Sequence, residues 1–543
     1  MERNIQLLDC TLRDGAYIVD ACFGTPAIKG MIKRLGDANV DIIECGWLKD
    51  QSYKEGTTYY HQPSDLKPYI GRKNKRCIYA AMIDWDRYDL KGLQEFDNSS
   101  IDAIRIVFPK EHFRQGIALG ELVKQKGYQV YFQAANTLAY SDVELAELAQ
   151  AVNLAQPKCL SVVDTFGAMD GEDLSRIVTV LDKHVQKNIR LGFHSHNNQQ
   201  LSFALSMQFV QILAKSGRSM VVDASLCGMG RGAGNTATEL AVGFLNRKYT
   251  YNYDLDIVMD AIDMYMGYFM EHYTWGYSVP YLIAGMYGAH VNNIAYLRDN
   301  YRANAKDMRN IIESLPQEDR RKYDYSLLEE KYLEYQDKAV QDEDSLECLK
   351  SEIGGQKVLL LLPGRSLLEQ RERIESYMIE HRPVVIGVNA VLKMYSYDAL
   401  FFSSTVRYMY AKEAYPDLFC RYKKILPSNI KTKGEKDERV VHYHRLVKRG
   451  WEHFDNAGMM CLRLMDKLGA VHVALAGFDG FAREHEKSYA DPSLPRIDPG
   501  KKWEALNEEI REMFLDFQQS VAGAMEIEFI TESKYRSDRQ EKI

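Results

Sequence analysis

Short apolar runs alternate with amphipathic stretches through the first 250 residues. β-Prone runs fall at 5–9, 40–45, 77–83, 101–108, 128–134, 159–164, 189–194 and 220–225. Between them lie segments whose apolar positions recur at helical spacing, such as 141–155 and 171–185. Strands alternating with helices build parallel βαβ units. Eight evenly spaced units within residues 1–250 predict a closed (β/α)8 TIM barrel rather than an open doubly wound sheet. Residues 251–352 read as a helical extension: 255–270 is rich in Met and Tyr, 304–315 is amphipathic, and 336–352 is polar and acidic. Gly354-Gly355 then marks a domain boundary. Residues 353–543 predict a Rossmann-like α/β domain. A buried strand at 357–362 meets the turn Pro363-Gly364-Arg365-Ser366, a helix follows at 367–380, and further strands fall at 384–389 and 472–476. The Lys-rich segment 424–447 reads as a surface loop or helix, and the charged stretch 533–543 as a frayed end.

Composition narrows the class. The chain has 543 residues, 46% hydrophobic and 27% charged, which is ordinary for globular proteins and long enough for two or three domains. A net charge of −7 speaks against a nucleic-acid partner. There is no apolar run of about 18 residues, so no membrane span is expected. The N-terminus leads into an apolar strand rather than a signal peptide. Nine scattered cysteines with no CxxC pair fit a reduced, cytoplasmic setting. The Met- and Tyr-rich positions of 255–350 point to a homo-oligomer.

A barrel of this kind does its chemistry at the C-terminal ends of its strands. Nearly every such end here carries a polar group: Arg13 and Asp14 after the first strand, Glu44 on the second, Arg105 on the fourth, Gln133 on the fifth and Asp164 on the sixth. His194 and His196 close the seventh. Alternate residues of a strand share a face, so this pair forms half a metal site. Asp14 supplies a carboxylate from the neighbouring end of the barrel. Two imidazoles, one carboxylate and open positions suit a divalent ion such as Mn2+, Mg2+ or Co2+ that also binds an oxygenated substrate. Arg13 never loses its proton and is placed to stabilise a developing enolate oxygen. The Gly228–Asn235 loop, with Gly230, Gly232 and Gly234, lets backbone N–H groups approach an anion. In the second domain, Gly364 and Ser366 open a helix at which an anion could sit.

The motif Asp9-x-Thr11-Leu12-Arg13-Asp14-Gly15 with His194-x-His196 resembles the DRE-TIM metallolyase superfamily, also called HMG-CoA-lyase-like. Within it the chain is most similar to the 4-hydroxy-2-oxovalerate aldolase branch, through Val163–Met169 and the run from Asp223 to Asn235. The resemblance covers about residues 1–335. It implies that Asp14, His194 and His196 hold the metal, that Asn235 joins them, and that Arg13 stabilises the enolate. The family's aldolases carry a catalytic histidine where this chain has Tyr17. A phenol titrates near 10 against about 6.5 for imidazole. Tyr17 relays a proton only if its pKa is lowered, and Glu44 and Asp164 are spare candidates.

The expected reaction is reversible carbon–carbon cleavage between a 2-oxo acid such as pyruvate and an aldehyde. The alternatives are a Claisen-type acyl-CoA synthase or lyase, and a non-catalytic scaffold that kept the metal and lost the base. The synthases continue their first motif with Gly-Glu-Gln, whereas this chain reads Gly15-Ala16-Tyr17. Residues 353–543 are weakly similar to sialyltransferase-like and motility-accessory-factor-type Rossmann domains, through Gly364–Leu367, Gly387–Asn389 and Gly477–Asp479. That likeness implies a nucleotide-sugar ligand and a setting in surface-glycan biosynthesis.

Overall fold

The computed structural model describes residues 3–301, 303–337, 340–432, 434, 437–451, 453–454, 456–495 and 503–536. The chain divides into two compact units within the helical stretch that follows the barrel. One is Met1–Val291 with Arg320–Lys322, and the other is Asn292–Asp319 with Tyr323–Ile543.

In the first unit, eight strands alternate with helices: β1 Ile5–Asp9, β2 Ile42–Leu48, β3 Ile78–Asp84, β4 Ala103–Phe108, β5 Gln129–Ala134, β6 Cys159–Asp164, β7 Arg190–Ser195 and β8 Met220–Ala224. Every neighbouring pair is parallel. Leu8 of β1 pairs with Ile42 of β2 on one side and Asp223 of β8 on the other, so the sheet closes into the expected barrel. The outer helices have local causes. Asp142–Ala155 begins at a capping box between Ser141 and Glu144. Gly171–His184 begins at Asp170, which accepts the N–H groups of Glu172 and Asp173. Caps of this kind contribute about 1 kcal/mol each. Tyr59–Tyr60 adds a two-residue strand beside Trp47 and Leu48, too short for the alternation to reveal.

The barrel interior is layered. Leu8, Ile42, Ala80, Ala103, Tyr131, Cys159 and Val221 pack into one apolar cluster. Two residues further along the same strands, on the same face, stand Glu44, Arg105, Gln133, Ser161 and Asp223, all buried. An apolar floor thus carries a polar layer, and the polar layer faces the mouth of the barrel.

The second unit holds another all-parallel sheet of seven strands: β9 Lys357–Leu361, β10 Val384–Val388, β11 Ala399–Phe401, β12 Lys423–Pro427, β13 Glu438–Val441, β14 His472–Ala476 and β15 Glu526–Phe529. Their order is β13-β12-β11-β10-β9-β14-β15. The chain lays strands outward from β9 in one direction, then returns to build on its other side. This is the parallel sheet expected of a Rossmann-like domain. One expectation is corrected here. The segment 424–447 is neither a loop nor a surface helix throughout, because it contributes most of β12 and all of β13. The buried pair Ile425 and Leu426 and the half-buried β13 explain why these lysine-flanked residues join the sheet. Of the stretch 533–543, residues 537–543 lie outside the described residues. Among the described residues, no helix is long and apolar enough to cross a membrane.

Candidate metal centre at the barrel mouth

The turn after β1 is set by Asp9, whose carboxylate accepts the Thr11 N–H and the Thr238 hydroxyl. The short helix Thr11–Asp14 that follows places Arg13 and Asp14 over the barrel. Arg13 Nε donates to Glu44 Oε2 at 2.7 Å, and its Nη1 donates to Asp14 Oδ1 at 2.6 Å. Arg105 stands 2.9 Å from Glu44 Oε2 and also donates to Gln133 Oε1 and to Asp223 Oδ2. Asp223 Oδ2 in turn accepts His194 Nδ1 at 3.1 Å. The His194 and His196 rings lie 5.1 Å apart between centroids, nearly perpendicular. Asn235 Nδ2 donates to Asp14 Oδ2 at 2.6 Å, and His196 Nδ1 lies 3.9 Å from the same oxygen.

Asp14, His194 and His196 therefore converge, with one ligand atom from each lying within 4.8 Å of the others. His194 Nε2, His196 Nδ1 and Asn235 Oδ1 are buried and have no hydrogen-bond partner among the described residues. An unsatisfied buried polar atom costs about 1–3 kcal/mol. Three together at one carboxylate form a cradle that a cation satisfies. Two guanidiniums, Arg13 and Arg105, face three carboxylates, Asp14, Glu44 and Asp223, which leaves one negative charge in excess. The donor set suits a divalent ion. The His194–Asp223 bond supplies the second contact that orients a ligating imidazole.

Electrostatics fit the same reading. Burial alone would raise Asp14, but Arg13, His196, His194 and the Asn235 amide hold its carboxyl well below the usual range. Burial, helped by His194, Arg231 and Arg13, pushes His196 down to about 3, so it stays neutral and able to ligate. Tyr17 sits at the opening, 40% exposed, with the Arg231 guanidinium 3.8 Å over its ring and Trp47 edge-on. Burial on its inner side pushes its phenol up, and Arg231 and Arg13 only partly oppose this. The lowered pKa that a proton relay requires is not found: Tyr17 is a donor at neutral pH.

Other predicted residues have structural work. Burial raises Asp164 to about 7, and its carboxylate accepts the N–H groups of Ala168 and Met169 in its own loop. Gly230 lies so close to the centre that a Cβ there would stand 2.4 Å from Asn235 Nδ2 and 2.5 Å from Asp14 Oδ2. Gly232 and Gly234 adopt φ of +67° and +82°, which turn the loop back so that Asn235 reaches Asp14. In the second unit, the Ser366 N–H and hydroxyl are given to Asp479, so an internal carboxylate occupies the helix start expected to take an anion. Asp223 was missed as a site residue although it is an acid inside the apolar run of β8. His290, half-buried and edge-on to Phe166, is pushed down to about 3 by burial.

Residues 108–264 match the HMGL-like family model. A 4-hydroxy-2-oxovalerate aldolase of Geobacillus genomosp. 3 is 28% identical over 272 residues, 48% of this chain and 76% of its own. An oxaloacetate decarboxylase of Mycobacterium tuberculosis is 26% identical over 267 residues, 47% and 74%. Among solved structures, an HMG-CoA lyase from Brucella melitensis is 15% identical, covering 49% of this chain and 97% of its own with a TM-score of 0.39. The resemblance of the barrel to the HMG-CoA-lyase-like proteins is borne out by the family match and the curated relatives.

Proposed function

We propose that the barrel is a divalent-metal-dependent carbon–carbon lyase that passes through the enolate of a 2-oxo acid such as pyruvate, cleaving or forming the bond to an aldehyde. The observation that carries this reading is the set of unpartnered ligand atoms on His194, His196 and Asn235 around Asp14. Bound there, a divalent ion (Mn2+, Mg2+ or Co2+) would draw electron density from the carboxylate and keto oxygens of the substrate. Arg13 holds its charge in every state and sits between Glu44 and Asp14, pre-oriented toward an enolate oxygen. Glu44 and Arg105 fix that orientation from below. In the cleavage direction the C4 hydroxyl gives its proton to solvent water at the open mouth, the C3–C4 bond breaks with its electron pair passing into the enolate, and the aldehyde leaves. C3 then takes a proton, and Tyr17, protonated at the mouth, is suited to give it.

The state of Tyr17 favours a second reading. A decarboxylation needs no base at that position: the bond to the leaving carboxylate breaks, carbon dioxide departs, and only the enolate carbon must be protonated. A 2-oxo diacid such as oxaloacetate is the corresponding substrate, and the relative from Mycobacterium tuberculosis carries that name.

Both readings are tested by exchange of the pyruvate C3 hydrogens in D2O, followed by NMR with and without Mn2+. Metal-dependent exchange that the His194→Ala, His196→Ala variant loses is the expected result. Bound metal without exchange overturns the pyruvate-enolate reading. Release of carbon dioxide from oxaloacetate then separates the two reactions.

A further inference from the structure

The sheet of the second unit reverses direction at β9, with β10 on one side and β14 on the other. The crevice at the carboxyl ends of such strands is where parallel α/β sheets bind ligands. A cavity of about 350 Å3 opens there, within the size range of small-molecule sites. Its floor is Pro363-Gly364 after β9, Asn389 after β10 and Gly477–Gly480 after β14.

Two helices begin on this cavity. Ala457–Leu468 is capped by Asn456, whose side chain accepts the Met459 N–H. Thr405–Ala414 starts after Ser404, which makes no side-chain cap. The first-turn N–H groups of an uncapped helix favour an anion. The third residue of that helix is Arg407. It lines the cavity, is 2% exposed, and its Nε and Nη1 have no hydrogen-bond partner among the described residues. Its guanidinium lies over the Tyr489 ring, 4.8 Å from the centroid. Burial lowers its pKa, and Tyr489 and Asp491 oppose this only in part, which leaves a cost that an incoming anion would offset.

The two carboxylates that line the same cavity are already bonded. Asp479 accepts from Ser366, and Asp307 accepts from Asn304 and the Tyr335 hydroxyl. Aromatic rings supply apolar wall, among them Phe478 and the stacked pair Tyr301 and Tyr332.

We propose that this cavity binds a small phosphate monoester, with the phosphate on the N–H groups of Thr405–Arg407 and the Arg407 guanidinium. Several donors converge, more than a carboxylate accepts, and the aromatic walls suit a flat organic group on the ester.

The test is calorimetric titration of the full chain with phenyl phosphate, inorganic phosphate and benzoate. Saturable binding of phenyl phosphate, tighter than that of the other two, is the expected result. Arg407→Met keeps the buried volume and removes the donors. Thr405→Asp places a negative charge at the helix start, which favours the helix and repels the ligand. Both variants should weaken phenyl phosphate binding by about tenfold or more, the loss for a charge-assisted hydrogen bond. Should Arg407→Met fail to fold, Thr405→Asp decides alone. No binding by the wild type at millimolar ligand, or equal binding by folded variants, overturns the proposal. Inorganic phosphate or benzoate binding as tightly as phenyl phosphate overturns the monoester assignment.

Discussion

The Asp223→Asn substitution removes one charge and almost no volume from the polar layer of the barrel. Asp223 Oδ2 accepts both Arg105 and His194 Nδ1. A neutral amide oxygen can stand in the same place, so the fold of the layer is kept. The negative excess that favours a cation disappears, and His194 is oriented by a weaker acceptor. Loss of such a contact lowers metal affinity about 10–100-fold, or about 1.4–2.7 kcal/mol. At a metal concentration of 100 times the wild-type Kd, binding stabilises the wild type by about 2.7 kcal/mol. The same concentration stabilises the variant by about 1.4 kcal/mol at a tenfold loss and about 0.4 kcal/mol at a hundredfold loss. The assay is denaturant unfolding with and without Mn2+, paired with competition against a chromogenic chelator. The variant is also less stable without metal, because Arg105 loses a buried partner. Only the metal-dependent increment therefore bears on the argument. An increment equal to wild type in Asp223→Asn, or one surviving in His194→Ala, would refute the metal centre.

Asp9 makes the fold itself pH-sensitive. Burial raises its pKa from 3.8 to about 6, against hydrogen bonds from Thr238 and Thr11 that pull it down. Between those values the folded state keeps a proton that the unfolded state has lost, so stability falls as pH rises from about 4 to about 6, by on the order of 3 kcal/mol. Asp9→Asn should flatten that window in denaturant unfolding, and an unchanged slope would remove Asp9 as its source. Tyr17→Phe should lower kcat about 100-fold while leaving Mn2+ affinity intact, as expected for a lost proton donor rather than a lost ligand; a steady-state comparison reads this, and an unaltered kcat ends the donor role. Gly230→Ala drives a methyl group into Asn235 and Asp14. Chelator competition should then show weaker metal binding, with the helical circular dichroism retained.

Much of the barrel is legible because its physics is local. Each strand is a short apolar run, and two of the long helices between strands carry their own start signal, at Ser141 and Asp170. The convergence of His194 and His196 with Asp14 was legible too, because alternate residues at a strand end share a face and Asp14 follows β1 directly. The polar layer was only half legible. Arg105 and Gln133 stand out as polar residues within apolar strands, but their partners lie on other strands. Arg105 meets Asp223 across 118 positions of sequence. Only the closure of the barrel brings them together. The electrostatics of Tyr17 were left open by the sequence for a related reason: Arg231 comes from another loop and faces its ring, and burial outweighs that nearby cation. The second unit was least legible. The strand β13 is an edge element with few apolar residues, β12 beside it opens with two lysines, and the carboxylate that fills the Ser366 helix start comes from Asp479, 113 positions away.

The charge of the polar layer also sets an order of events. Without a cation the ion-paired residues Arg13, Arg105, Asp14, Glu44 and Asp223 are negative by one charge, and the neutral His196 adds nothing to them. A 2-oxo acid is itself an anion, so the empty cluster repels it over an apolar floor that screens little. A divalent ion reverses the sign of the cluster, and the same site then attracts the carboxylate. Substrate should therefore bind only after metal, and the two affinities should be reciprocally coupled. Titrating pyruvate into the metal-free and the Mn2+-loaded protein reads this directly. Equal affinity in both states would mean that the substrate carboxylate sits away from Asp14, His194 and His196, on Arg231 or Arg13 alone.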